Sequence, residues 1–354
     1  MTTSTPADPA SVFLDDPAQL LAALPSLLGF RPENSVVLLG HRDPDGQRVG
    51  LVLRGDLPRR EDRARQAAAL APRFATGRHA GVTVAIVGGR RRPGSPPPHA
   101  GFVKHLVEAL GDHDLPVLHA LWAADLTAGA PWGCYTDEEC SGHLPDPRAT
   151  VLAAAFTEDG RVLFDSREEL AALLEPRSPE ALIRRADRLS RLADPSETCY
   201  FDAVAEIRAA FDRQRRGEGP PDDEEAVRLA RALAIHEIRD ACLSMAVPTH
   251  SQAAREAEQL WLTLVRELPA PERAEPAALL GYTAFMRGDG TFAGMALENA
   301  LAADPNHVLA QLLLGVLRRG LAPEQLLGLA MAADVAGIRG FGLMSPEAGP
   351  SHAV

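Results

Sequence analysis

The sequence predicts two unlike halves: an α/β N-terminal domain, a layered sheet with helices, followed by an all-α, partly repeat-like C-terminal domain. Two observations carry this expectation. Up to about residue 176, apolar β-rich runs alternate with helical spacing, the pattern of helices packed on a sheet. From residue 178 onward strand signals vanish and only three-four helical spacing remains. The stretch EPRSP at residues 175–179 interrupts both patterns and marks the boundary. This divides the chain into a disordered arm (1–10), an α/β domain (11–176), a helical domain (177–337) and a flexible tail (338–354).

Residues 16–28 have helical spacing. Residues 35–39 and 49–53 are β-rich and are separated by Asp43-Pro44-Asp45-Gly46, turn chemistry for a hairpin. An Ala- and Arg-rich helix is expected over 60–74 and a buried strand over 82–87. Gly88-Gly89 closes that strand, and the loop RRRPGSPPPH follows. A helix over 102–110 and a strand over 116–126 complete the alternation. A polar, Pro-containing segment then runs to Thr150, followed by a helix over 149–156, a strand-like 161–164 and a helix over 167–174. Ser166 and Glu169 form an S-x-x-E capping box at the start of that last helix, a stronger reading than a nucleophilic serine. Helices are then expected over 179–192, 198–215, 223–245, 252–268, 277–287, 292–303, 307–318 and 323–333. The stretch RRGEGPP at 215–221 joins two of them.

Composition removes several functions. The 354 residues are 46% hydrophobic and 24% charged, enough apolar content for substantial cores. A formal net charge of −12 repels phosphate backbones, so nucleic acid is not an expected partner. No apolar run approaches the roughly 18 residues that cross a bilayer, and the N-terminus carries Asp8, Asp15 and Asp16 where a secretory signal would be apolar. A cytoplasmic protein without membrane contact is expected. Its four cysteines are too few for a disulfide framework and are read as free thiols. Lys104 is the only lysine, and no Gly-rich segment ends in Gly-Lys-Ser/Thr. G-x-G-x-x-G at a helix start, G-x-S-x-G and H-E-x-x-H are also absent, so no cofactor is expected.

The motif Leu28-Gly29-Phe30-Arg31-Pro32, after a helical run and before two strands, resembles the opening of a family of uncharacterised actinobacterial proteins, a domain of unknown function. Gly288-Asp289-Gly290 and Asp304-Pro305 extend that resemblance toward the end of the chain. It implies no established activity. Residues 274–306 also resemble a tetratricopeptide unit: Leu280-Gly281 fall on its Leu-Gly pair, Ala293 and Ala300 on its small crossing positions, Leu297 on its large apolar position and Pro305 on its terminal proline. Thirty-four residues after the first pair come Leu314-Gly315, although Ala277 and Ala284 replace the usual aromatics.

Candidate sites follow from residue chemistry. Arg54 and Asp56, beyond the second strand, with Ser35 and His41 near the first, are catalytic or ligand-binding candidates, Arg54 as an anion clamp and Asp56 as a base. The competing reading is an ion pair that closes a strand. Cys134, Cys140 and His143 offer three loosely spaced metal donors, against the four closely spaced ones of a structural zinc site, so no metal is expected. Arg239 and Asp240 are read as a structural ion pair between helices that joins the two domains. Arg90, Arg91 and Arg92 form the one dense basic cluster, either an anion site or a solvated loop. Two functions are carried forward: a non-enzymatic protein-binding or adaptor protein gripping a protein partner near Asn299 and Gln311, or an enzyme acting on a small anionic substrate at the α/β domain.

Overall fold

The computed structural model describes residues 16–43, 49–75, 79–92, 94–158, 161–192 and 200–330. The expected arm over 1–10 and tail over 338–354 lie outside the described residues, as do the turn residues 44–48 and Cys199. The chain divides into two compact units, one taking residues up to Leu170 together with Arg318–Ala322, the other Ala171–Leu317 with the residues from Pro323.

The first unit begins with α1 (Pro17–Leu28). Asp16 caps it by accepting from the Ala18 N–H at 3.0 Å, and Pro17 sits in the first turn, where its missing N–H costs nothing. Gly29 ends the helix at φ +78°, a left-handed conformation that a side chain would oppose. The Leu-Gly-Phe-x-Pro motif is therefore a helix stop. Phe30 behind it is buried and forms a single parallel bridge to Phe164, all that the strand-like 161–164 contributes.

A six-stranded mixed sheet follows, in the order β2-β1-β3-β4-β5-β6. Its strands are β1 (Ser35–His41), β2 (Val49–Asp56), β3 (Gly81–Val87), β4 (Val117–Ala123), β5 (Pro131–Cys134) and β6 (Ser141–His143). β1 runs antiparallel to β2 and β3, β3 and β4 are parallel, and β4, β5 and β6 are antiparallel. Every residue of β1 and β3 is buried, which explains their nearly unbroken Val and Leu content. The region expected as a polar loop supplies β5 and β6. These strands have four and three residues, too short to show an alternating pattern, and their Gly, Cys and His content lacks β-propensity.

Between β2 and β3 lie α2 (Arg63–Leu70) and α3 (Pro72–Ala75), one helix in the expectation. Pro72 has no N–H to continue the ladder, and the chain breaks there. The β3–β4 crossover is α4 (Ala100–Gly111), whose Phe102, Leu106 and Leu110 repeat every four residues and are fully buried. Each stabilises the layer by about 1.5–3 kcal/mol relative to exposure. They pack with Val36, Leu38, Val84, Ile86, Phe74 and Trp122 on one face of the sheet. The alternate residues Val37, Leu39, Ala85 and Leu121 point to the other face and are equally buried. The unit continues through α5 (Val151–Glu158) to α6 (Arg167–Ala172), which straddles the division.

The second unit holds α7 (Pro179–Ser190), α8 (Tyr200–Arg215), α9 (Asp223–Leu233), α10 (His236–Cys242), α11 (Gln252–Glu267), α12 (Ala274–Met286), α13 (Gly290–Ala303) and α14 (Val308–Arg318). The helix expected over 223–245 is interrupted at Ile235, whose extended backbone (ψ 110°) lets α10 turn and bury Ile238. Asp222 and Glu225 close a full capping box on α9. Arg185 of α7 is a buried hub: Nη1 donates to Glu267 Oε2 at 2.5 Å and to Glu267 O at 2.6 Å, Nε to Asp223 Oδ1 at 2.9 Å, and Nη2 to Pro221 O at 3.2 Å. α12 is buried along almost its whole length, and Gly281 lets α13 approach it: a Cβ there would lie 2.6 Å from Leu297 Cγ. Residues 323–326 form a short 3-10 turn, and Leu326 O accepts from Tyr282 Oη at 3.2 Å.

Candidate functional site

At one end of the sheet the start of β1, the ends of β2 and β3 and the end of β4 come together, because Ser35 pairs with both Asp56 and Val87 and Val87 pairs with Ala123. This places three of the four catalytic candidates in one chain of contacts. Ser35 Oγ donates to Glu33 O at 2.6 Å and accepts from Arg54 Nε at 2.8 Å, while Arg54 Nη2 pairs with Asp56 Oδ1 at 2.6 Å. The Arg54 side chain is 20% exposed and that of Asp56 is 82% exposed, so the carboxylate stands in water and the guanidinium is held from below. Gln66 Nε2 donates to the Asp56 carbonyl at 2.8 Å, which ties the strand end to α2.

His41 is not part of this group. It lies six residues from Ser35 along β1, roughly 20 Å at about 3.3 Å per residue, and its Nε2 meets the Thr83 hydroxyl at 2.8 Å in the buried interior. The Ser35 hydroxyl proton is engaged by the Glu33 carbonyl, whereas a nucleophilic serine needs its proton taken by a base.

Strand alternation separates a second set of groups from the first. Ser35, Arg54 and Asp56 share the face of Val37, whereas α2 and α4 cover the face of Val36. On that covered side, the Arg63 head group lies 3.5 Å from where a Cβ of Gly101 would sit, over the first turn of α4. The nitrogens Arg63 Nε and His99 Nδ1 are shielded and have no hydrogen-bond partner among the described residues. Burial first, and the Arg63 charge second, hold His99 below its ordinary value. Of the basic cluster, Arg91 Nε donates to Ser95 O at 3.2 Å, within its own loop.

The metal candidates fall on the β5–β6 hairpin. Cys134 N–H donates to Cys140 O at 2.9 Å, which sets the two cysteines opposite each other. His143, three residues beyond Cys140, projects to the other face of the strand. Among the described residues no three His, Cys, Asp or Glu side chains gather as a metal site. The loose spacing in sequence carried the signal of a hairpin, one that spacing rules for metal ligands do not address.

In the helical unit, Arg239 donates to its neighbour Asp240 at 2.6 Å and reaches Glu275 of α12 at 3.3 Å. The expected link between the two domains is corrected: Glu275 belongs to the same unit, so the bridge is internal to the helices. His307 Nε2 meets the same Glu275 carboxylate at 3.0 Å. Asn299 on α13 is half-buried, and its Oδ1 has no hydrogen-bond partner among the described residues. Gln311 on α14 is exposed and donates to Pro305 O at 2.8 Å. The surface beside Gln311 was not singled out in the sequence: Val308 and Leu312, one turn apart on α14, are 67% and 64% exposed. Their apolar spacing was visible, but exposure is a tertiary property.

Residues 17–324 match the family described as Domain of unknown function (DUF4192), and the chain belongs to that family. No curated protein and no solved structure matches the chain. Among the described residues no helix is long and apolar enough to cross a membrane.

Proposed function

We propose that this DUF4192 chain is a non-enzymatic protein-binding protein whose helical unit holds a partner helix on α14. The observation that carries the reading is a comparison of two glycines 34 residues apart. Gly281 on α12 is packed by Leu297 of α13, whereas around Gly315 on α14 no described atom lies within 4 Å of a Cβ position. If 274–306 is one tetratricopeptide-like unit and α14 opens the next, no described residue covers the face at Gly315 that a second helix would cover. Repeat units bury their apolar faces only against neighbours. Val308 and Leu312 supply the apolar anchors at i and i+4 that a helix-in-groove contact uses, and Gln311 supplies a polar rim.

The test is affinity capture by the full chain compared with a Val308→Asp/Leu312→Asp variant, read by quantitative mass spectrometry. A protein held by the wild type and by Arg54→Gln, but lost by the double variant, is the expected result. If the same proteins are retained by all three chains, or none is enriched, the reading fails.

A second reading, an enzyme acting on a small anionic substrate at the α/β unit, draws support from Arg54 standing at the sheet end beside the exposed Asp56. It predicts an anionic ligand that raises the melting temperature of the wild type and leaves Arg54→Gln and Asp56→Asn unchanged.

A further inference from the structure

The β5–β6 hairpin sets two thiols against each other. Its ladder pairs Pro131 with His143, Trp132 with Gly142 and Gly133 with Ser141, and the next position puts Cys134 opposite Cys140. Directly opposed residues of an antiparallel pair lie roughly 4.5–5.5 Å apart at Cα, inside the ~4.4–6.8 Å that a disulfide spans. Both cysteines are free, and the Cys134 side chain is among the neighbours that act on the Cys140 thiol. They differ in access, Cys134 being buried and Cys140 half-buried, so a reagent from solvent meets Cys140 first. The five residues between them are anchored by bonds from Tyr135 N–H to Ala120 O, from Tyr135 Oη to Pro98 O, and from Glu139 N–H to Asp137 Oδ1. The opposition of the two cysteines along the backbone is therefore built into the fold.

We propose that Cys134 and Cys140 are a redox pair that closes to an intramolecular disulfide by exchange with a low-molecular-weight disulfide. Cys140, once deprotonated, attacks one sulfur of the reagent RSSR. The S–S bond breaks, a mixed disulfide forms on Cys140, and the departing thiolate takes up a proton to leave as RSH. Cys134 then loses its proton and attacks Cys140 Sγ, expelling the second RSH. Two protein thiols are oxidised and one RSSR is reduced to two RSH. The shielded Cys134 is the resolving thiol, and closure asks no large movement of a backbone already hydrogen-bonded across the pair.

The surroundings set the rate. Burial, then the Cys134 thiol and the Asp137 carboxylate, push Cys140 up to about 11. At neutral pH Cys140 is held as a thiol, and exchange quickens about tenfold for each unit that pH rises toward that value, as the thiolate fraction does.

The test uses the full chain carrying Cys199→Ser and Cys242→Ser, so that only the two hairpin thiols remain, incubated with oxidised glutathione, acid-quenched and mapped by mass spectrometry. The expected product is a loss of two hydrogens with a 134–140 bridge, reversed by dithiothreitol. Its initial rate should rise about tenfold from pH 7 to pH 8. Adding Cys134→Ser should stop the reaction at a glutathione adduct on Cys140, and adding Cys140→Ser should remove both bridge and adduct. Persistence of both thiols at pH 9, or a stable adduct with no bridge when both cysteines are present, overturns the proposal. Wild-type chain treated in parallel guards against misfolding of the background, and a bridge there that joins other cysteines overturns the proposal equally.

Discussion

Replacing Gly281 and Gly315 separately by alanine should move stability in opposite directions, although both glycines lie inside helices and sit 34 residues apart in the same motif. In a helix interior alanine is favoured over glycine by about 1 kcal/mol. At Gly315 no described atom opposes the new methyl group, so Gly315→Ala should gain most of that amount. At Gly281 the methyl would meet Leu297 Cγ at 2.6 Å, Leu297 Cδ2 at 2.8 Å and Ala293 O at 3.3 Å. The last is backbone, so α13 must move away or Leu297 must leave its rotamer. Overpacking of this kind costs about 1–3 kcal/mol, which offsets the propensity gain and leaves a net loss of about 1 kcal/mol. The two variants should therefore differ by about 2 kcal/mol. With a urea slope of about 1–3 kcal/mol/M, their unfolding midpoints would lie on the order of 1 M apart by far-ultraviolet circular dichroism. Adding Leu297→Ala should relieve the clash, so the double variant with Gly281→Ala should lose less than the sum of the singles by about 1 kcal/mol or more. Equal shifts for both glycine variants, or strict additivity at 281 and 297, would falsify the claim that α12 and α13 meet at this glycine and that α14 has an open face.

Further expectations concern the polar framework. Arg185→Met leaves Glu267 and Asp223 without their buried partner and should cost about 3–5 kcal/mol, read as the loss in urea midpoint; a change below about 1 kcal/mol would show that the hub is not formed. Asp223 is held below its ordinary carboxylate value of 3.8 by hydrogen bonds from Arg184 and then Arg185. A depressed carboxylate contributes stability that is complete above the unfolded value and is lost as pH falls through the folded one. Acid unfolding below about pH 4 should therefore be shallower in Asp223→Asn than in wild type, and parallel curves would refute the assignment. Tyr135→Phe removes the hydroxyl bond to the Pro98 carbonyl and should cost about 0.5–1.5 kcal/mol, with faster amide exchange in the loop before α4 as the local readout.

Several parts of this architecture were legible in residue order because they rest on local physics. Asp16, Pro17 and Gly29 start and stop α1 through groups within one turn of the helix end. Phe102, Leu106 and Leu110 declare a helix by spacing alone, and the uninterrupted apolar runs of β1 and β3 declare strands buried on both faces. Leu280-Gly281, with Ala293 and Leu297, announced two helices in close contact, and Gly281 and Leu297 do touch. Membership of a family of unknown function was also expected from the sequence, and the match over residues 17–324 supports it.

What only the tertiary structure decided depends on pairing between distant segments. Seven residues in two short strands form β5 and β6 because β4 offers them a partner, and no local propensity encodes that choice. The pleat then sends Cys134 and Cys140 toward each other and His143 away, which spacing along the chain left undetermined. The same alternation puts Arg54 on the sheet face away from α2, the helix that carries Arg63, while strand length carries His41 far from Ser35. Ionic partners behave likewise: Arg239 found Glu275 and Arg185 found Glu267, 36 and 82 residues away. Charge has no periodicity to betray its partner, whereas burial of apolar surface does, and so the sequence alone determined the helices and core strands while the packing decided which polar groups meet.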